Sequence, residues 1–257
     1  MDTGIIYTMD FQNHQNYPEQ PDRAIKTAEY LRNQGIPEFI VPKIFDERYI
    51  RSVHSEPYLE SVKEIPGIDE VDNIFSNSLL SAYGCLTAGD LLVNGAIDNA
   101  FVLNRPPGHH TYADSGGGFC YLNNAAILTR YLQDHGKRKV MIIDWDAHHG
   151  NGTESVFYED SSVLYTSIHQ SPLYPGTGKV IDTGTGDGEG FTINIPVPPG
   201  TGHDTYRGIF ERIIIPAGKG FKPDVVIISA GQDSHAGDLL TDLELCSGSY
   251  HMMTRMI

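Results

Sequence analysis

The chain has 257 residues, of which 40% are hydrophobic and 20% charged, and a formal net charge of -15 at pH 7. This describes an ordinary globular protein with enough chain to bury a sizeable core, and it excludes the basic footprint of a nucleic-acid binder. The acidic excess either attracts cationic substrates such as lysine tails and polyamines or serves solubility alone.

In chain order, "TGIIYT" (3–8) reads as a first strand and "DRAIKTAEYLRNQ" (22–34) as an amphipathic helix, with Ala24, Ala28 and Leu31 spaced at four and three. "SNSLLSAYGCLTAGDLLV" (76–93) is a second helix, "NAFVLNRP" (99–106) a strand, and "YLNNAAILTRYLQDHG" (121–136) a helix with a glycine stop. "KVMIIDWD" (139–146), "SVLYTSIH" (162–169), "FTINIPV" (191–197) and "DVVIISAG" (224–231) are Val- and Ile-rich strands. Those without polar alternation should be buried on both faces. "GHDTYRGIFERIIIPA" (202–217) is a further helix before the last of them. Alternating strands and helices predict an α/β fold: one open parallel sheet with helices on both faces. No repeat, linker or composition break divides the chain, so residues 1–257 are expected to form a single domain. "DSGGGFCY" and "SPLYPGTGKVIDTGTGDGEG" are Gly- and Pro-rich loops.

The three cysteines, Cys85, Cys120 and Cys246, form no CxxC and no disulfide framework. The N-terminal stretch has no signal-peptide pattern, and no segment has the length of a membrane span. A cytoplasmic protein with no membrane and no nucleic-acid partner is expected.

Chemistry gathers where strands end, the usual ligand-binding edge of an open α/β sheet. Asp144, Asp146 and His148 follow one strand, Asp233 follows another, and His109 with His110 follow a third. Two carboxylates and an imidazole suit zinc or a similar divalent ion, so Asp146, His148 and Asp233 would supply three ligands and leave one position open. Alone, a DxDxH triplet in a loop more often serves as caps and turn formers; with Asp233 and the His pair it points to a metal site. The pair His109 and His110 suits general acid–base work. Glycines of "SGGGFCY", Gly118 among them, would let backbone approach a ligand. Phe119 and Tyr174 either wall a slot for an apolar stem or pack their own loops. His14, His54, His135, His203 and His251 read as surface or capping residues, and Cys120 as packing.

Taken together, "YPEQPDR", "RPPGHH", "GFCYLNNAAI", "IDWDAHHGNGT", "PGTG" and "SAGQDSHAGD", in that order, resemble the histone deacetylase family of the arginase–deacetylase fold. The "GNGT" sequence is similar to class II and to bacterial and archaeal members. The resemblance implies zinc-dependent removal of an acetyl group from an acetylated lysine side chain or a small acetylated amine. It implies zinc on Asp146, His148 and Asp233. It implies His110 as general base and then acid, His109 as an electrostatic partner oriented by Asp144, and Asn151 behind His110. Phe119 and Tyr174, with Gly118, would line the acyl-lysine tunnel. A potassium ion would sit among oxygens of Asp144, Asp146, His148, Ser167 and Ile168. An arginase-like two-manganese centre would need further carboxylates where His109 and His110 stand. Leu240 occupies a place where polyamine deacetylases often carry Glu, which favours a neutral acyl-lysine over an acetylpolyamine.

Relative to the family, the chain stops before the Gly-Gly-Tyr stretch whose Tyr donates to the oxyanion. The expectation is therefore a C-terminally short deacetylase, or a metal- and acyl-lysine-binding protein with impaired turnover. An uncovered sheet edge would favour a homo-oligomer.

Overall fold

The computed structural model describes residues 2–12, 19–36, 38–65 and 73–257. His14 lies outside them. The chain divides into two compact units, Met1–Gly136 and Lys137–Ile257.

In the first unit, β1 (Thr3–Ile6) pairs in parallel with a later strand, β2 (Asn99–Val102), with Ile5 opposite Phe101. Between them run α1 (Asp22–Asn33), α2 (Arg48–Arg51), α3 (Glu56–Lys63) and α4 (Ile74–Val93); α5 (Asn124–Asp134) closes the unit. Helix α1 buries Ala24 and Ala28 against Ile5, Tyr7 and Leu103. It ends where Gly35 takes φ +87°, a conformation that costs glycine little. Asn123 caps α5, its side chain accepting from the Ala126 amide at 3.0 Å. Gly136, at φ +87°, follows the α5 end that the sequence marked with glycine. Replacing an N-cap Asn such as Asn123 typically costs about 1 kcal/mol.

The second unit holds a four-stranded parallel sheet in the order β5–β4–β3–β6. Its strands are β3 (Val140–Asp144), β4 (Val163–Gln170), β5 (Thr192–Val197) and β6 (Val225–Ser229). Every residue of β3 and β4 is buried, which explains why their runs carry no polar alternation. Helix α6 (Asn151–Phe157) connects β3 to β4. The predicted helix over 202–217 is divided: α7 (His203–Ile209) passes through a π-helical turn at Phe210–Ile214 into α8 (Ile215–Phe221), which has Pro216 in its first turn. Helix α9 (Ser247–Met256) follows β6. Met141, Ile143, Leu164 and Trp145 pack with Tyr206, Phe210, Ile214 and Met253 in one cluster. At about 25 cal/mol per Å² of apolar surface removed from water, such side chains each contribute roughly 1.5–3 kcal/mol.

All six predicted strands are present and every strand pair is parallel. The fold class is α/β with parallel sheet and flanking helices. No helix among the described residues is long and apolar enough to cross a membrane.

Candidate metal centre

The register of the sheet builds this site. Asp144, the last residue of β3, pairs with Ser167 of β4 on one side and Ser229 of β6 on the other. The chain leaving β3 therefore emerges beside the chain leaving β6, and Asp146, His148 and Asp233 meet. Their ligand atoms all lie within 4.8 Å of one another. His148 Nδ1 is 2.7 Å from Asp233 Oδ2 and 3.1 Å from Asp146 Oδ1.

Backbone donors hold the carboxylates. The His148 amide donates to Asp146 Oδ1 at 2.8 Å, and the Ala147 amide donates to Asp233 Oδ1 at 2.9 Å. The backbone behind Asp233 is held from two sides. Thr241 Oγ1 donates to the Asp233 carbonyl, and Tyr250 Oη donates to the Gln232 carbonyl at 3.1 Å. Gly231 is required here because a Cβ would enter the Asp146 carboxylate.

Electrostatics follow from this crowding. Burial alone would lower the His148 pKa, but hydrogen bonds and charge from Asp146 and Asp233 outweigh it and push the imidazole up to about 10. Burial, reinforced by the charge of Asp146, pushes Asp233 up to about 7. Two carboxylates and one imidazole nitrogen converge with a proton between them, and a divalent cation can replace that proton. The donor set fits zinc.

Asp144 is fully buried, accepting from Tyr165 Oη at 3.3 Å and from the Asp146 amide at 3.2 Å. Ile168, next to Ser167 on β4, is fully buried too. Tyr174 is 52% exposed, and its ring centre lies 6.3 Å from that of His148, edge to face. Leu240 is half-exposed, and its amide is held by Asp238. Asn151 opens α6, its amide donating to the His149 carbonyl at 2.9 Å.

The first unit holds the other candidates. The rings of His109 and His110 are 4.0 Å apart between centres, and His110 is buried. Gly108 lets this turn lie directly on the 122–124 backbone, where a Cβ would strike the Leu122 carbonyl and the Asn124 amide. Gly118, at φ +56°, meets the ring of His110, which leaves no room for a side chain there. Phe119 also holds a left-handed φ of +66° and is 36% exposed. An aromatic residue in that region is strained by roughly 1–2 kcal/mol, which is common at functional sites.

His54 corrects the sequence reading, because it is buried rather than superficial. Its Nδ1 faces the Tyr112 carbonyl at 2.9 Å, and its Nε2 accepts from the Asn123 amide at 2.9 Å. Burial lowers its pKa to about 4. Arg105, just before the His pair, forms a buried bidentate pair with Glu19, with both contacts at 2.7 Å. No local pattern near "RPPGHH" marks that partner, which lies far back in the sequence.

Histidines beyond the triad are also engaged. His149 Nδ1 meets Thr177 Oγ1 at 2.8 Å and its Nε2 lies 2.5 Å from Glu154 Oε2. His169 Nδ1 meets Ser167 Oγ at 2.9 Å and its Nε2 meets the Gly178 carbonyl at 3.0 Å. Burial, together with neighbouring His149, lowers the His169 pKa to about 4. The adjacency of His149 to His148 was the one signal in the sequence; its partners were not visible there.

Comparison with known proteins adds the lineage. The model of the histone deacetylase domain matches residues 17–257. A probable deacetylase of Archaeoglobus fulgidus is 42% identical over 271 aligned residues, covering 99% of this chain and 76% of that protein. A histone deacetylase-like amidohydrolase of Pseudomonas aeruginosa is 36% identical, covering 84% of this chain and 60% of that protein. The chain spans less than half of the chloroplastic histone deacetylase 10 of Oryza sativa subsp. japonica, with 44% identity over the 43% of that protein that aligns. The crystal structure of the HDA15 HD domain matches with a TM-score of 0.93 at 33% identity, covering 99% of this chain and 78% of that one. A family match that runs from residue 17 to residue 257, with Asp146, His148 and Asp233 inside it, makes this chain a member of the histone deacetylase family.

Proposed function

We propose that this chain is a zinc-dependent deacetylase that hydrolyses the amide of N-acetyl-lysine or a related small acetylated amine, giving acetate and the free amine. The observation that carries the reading is the convergence of Asp146, His148 and Asp233 beside the exposed ring of Tyr174. Relatives described as deacetylases and as an amidohydrolase support it.

Asp146, His148 and Asp233 would hold zinc, which would supply a Lewis acid for the amide carbonyl and lower the pKa of water toward about 7. The chain's own groups do the rest. The Ala147 and His148 amides hold the two carboxylates in place, so little reorganisation is needed when the cation binds. Tyr174, Phe119 and Gly118 are assigned by family resemblance to the path of the acyl-lysine stem, and Leu240 to its mouth as an uncharged residue. By family resemblance, His110 takes the proton from the attacking water and returns it to the departing amine nitrogen. His109 supports it electrostatically, with Asp144 orienting His109 and Asn151 backing His110. Potassium is assigned to oxygens of Asp144, Asp146, His148, Ser167 and Ile168; the buried Asp144 carboxylate opposite Ser167 is a fitting anchor. Residues 1–257 are assigned to one deacetylase-like domain. The free cysteines suit a cytoplasmic setting.

The test is turnover of an acetyl-lysine peptide by the zinc-loaded chain, with Asp233→Ala as control. Acetate release that the control abolishes supports the reading. One zinc bound per chain with no acetate released refutes it in favour of a non-hydrolytic binding protein. A higher kcat/KM on an acetylpolyamine than on the peptide moves the substrate to that class.

A further inference from the structure

The loop that carries Tyr174 is thinly supported. Between Ser171 and Ile181, Gly178 is the buried residue, while Tyr174, Val180 and Ile181 are 52%, 65% and 81% exposed. Its ends are secured: the Ser171 amide donates to the Val197 carbonyl at 2.8 Å, and Asn194 Nδ2 donates to the Asp182 carbonyl at 3.2 Å. A half-open pocket of about 300 Å³ adjoins the loop, lined by His149, His169, Pro172, Leu173, Val180 and Pro196. Leu173 packs against the core cluster of the second unit, while the stretch from Gly176 to Ile181 is exposed apart from Gly178, so polar contacts hold that stretch.

Two imidazoles make those contacts. His149 Nδ1 lies within hydrogen-bond distance of the Thr177 hydroxyl at 2.8 Å, while its Nε2 approaches Glu154 Oε2 at 2.5 Å without an aligned hydrogen bond. The Gly178 carbonyl can only accept, so His169 Nε2–H points at it and His169 Nδ1 accepts from the Ser167 hydroxyl. Asn194 Nδ2 donates to Glu154 Oε2 at 3.0 Å, which ties the His149 arm back to β5. The two rings lie 4.7 Å apart between centres. Gly178 sits against both at φ +82°, and a Cβ there would lie 2.6 Å from His169 Nε2 and 2.7 Å from His149 Cδ2.

We propose that His149 and His169 form a clamp on Thr177 and Gly178 that sets the position of Tyr174 over the metal centre, making Thr177 a positioning residue for substrate binding. The clamp shares one peptide bond with the metal site, since His148 is a ligand and His149 its neighbour. The substrate part of the proposal rests on the deacetylase reading; the clamp itself does not.

The experiment compares Thr177→Val and Thr177→Ser in the full zinc-loaded chain, with and without Tyr174→Ala. Amide hydrogen exchange over residues 173–180 reads the clamp without reference to activity. Val removes the hydroxyl at nearly constant shape, and loss of one hydrogen bond predicts exchange faster by about fivefold or more, with Ser restoring it. For an acetyl-lysine peptide, Thr177→Val should raise KM about fivefold with kcat within about twofold, because binding geometry and not the chemical step is disturbed. On the Tyr174→Ala background the same substitution should change KM less than about twofold, the mark of an effect transmitted through Tyr174. Unchanged exchange in Thr177→Val overturns the clamp. A KM penalty that persists in full without the Tyr174 ring overturns its role in substrate positioning. Faster exchange in a chain that releases no acetate upholds the clamp and refutes the deacetylase reading alone.

Discussion

Protons and metal should compete for one site in this protein. In the metal-free cluster His148 is pushed up to about 10 and Asp233 up to about 7. At pH 8 the imidazole is therefore protonated and Asp233 largely ionised. A cation that takes His148 Nδ1 must displace that proton, so affinity rises with pH. The slope is about tenfold per pH unit between pH 7 and pH 9, or about 1.4 kcal/mol per unit, with one proton released per metal bound. Below about pH 7 the proton on Asp233 must leave as well, and the dependence steepens toward two protons. Zinc affinity measured by chelator competition at pH 6, 7, 8 and 9 reads the slope. Calorimetry in two buffers of different ionisation heat counts the protons independently. Asp146→Asn removes one of the two charges that raise His148 and should flatten the dependence above pH 7. An affinity that stays level from pH 7 to pH 9, with no proton released, would mean that the 2.7 Å contact between His148 and Asp233 is not a charged pair, and the electrostatic account of the site fails.

Three further outcomes are expected. Glu19→Ala leaves the Arg105 guanidinium buried without its bidentate partner, and urea denaturation should show a loss of about 3–5 kcal/mol; a loss below 1 kcal/mol would contradict the burial of that pair. Gly118→Ala places a methyl group in the ring of His110 at a left-handed φ, and kcat should fall about 100-fold with zinc stoichiometry unchanged. An unaltered kcat would remove His110 from the proposed chemistry. His54 should stay neutral down to about pH 4, with nitrogen chemical shifts that do not titrate between pH 5 and pH 8, because protonating Nε2 would destroy its bond from the Asn123 amide.

Much of the fold was readable because hydrophobic periodicity is a local property. The Val and Ile runs marked all six strands, and Gly136 marked the end of α5. The reading failed where local pattern is silent. The apolar spacing over 202–217 cannot show that the hydrogen-bond ladder widens at Phe210–Ile214 and resumes in a new helix with Pro216 in its first turn. The short helices α2 and α3 carry too few residues to impose a period. His54 looked superficial because burial depends on what packs over a residue, and nothing in "RSVHSEP" states that Tyr112 and Asn123 will supply its partners.

The same division runs through the site. The sequence by itself determined that Asp144, Asp146 and His148 stand within five residues at the end of a buried strand, since covalent spacing alone keeps them together. It also determined that Asp233 follows a strand of the same kind. Only the tertiary structure decided that β6 pairs with β3 in the register Asp144 to Ser229, which brings the Asp233 carboxylate to 2.7 Å from His148. It alone sent neighbouring His149 away from the metal and onto Thr177, 28 residues further along the chain. Residue type and spacing specify what chemistry a side chain can do. Which of its neighbours it does that chemistry with depends on strand register and loop path, and those are settled by contacts between residues far apart in sequence.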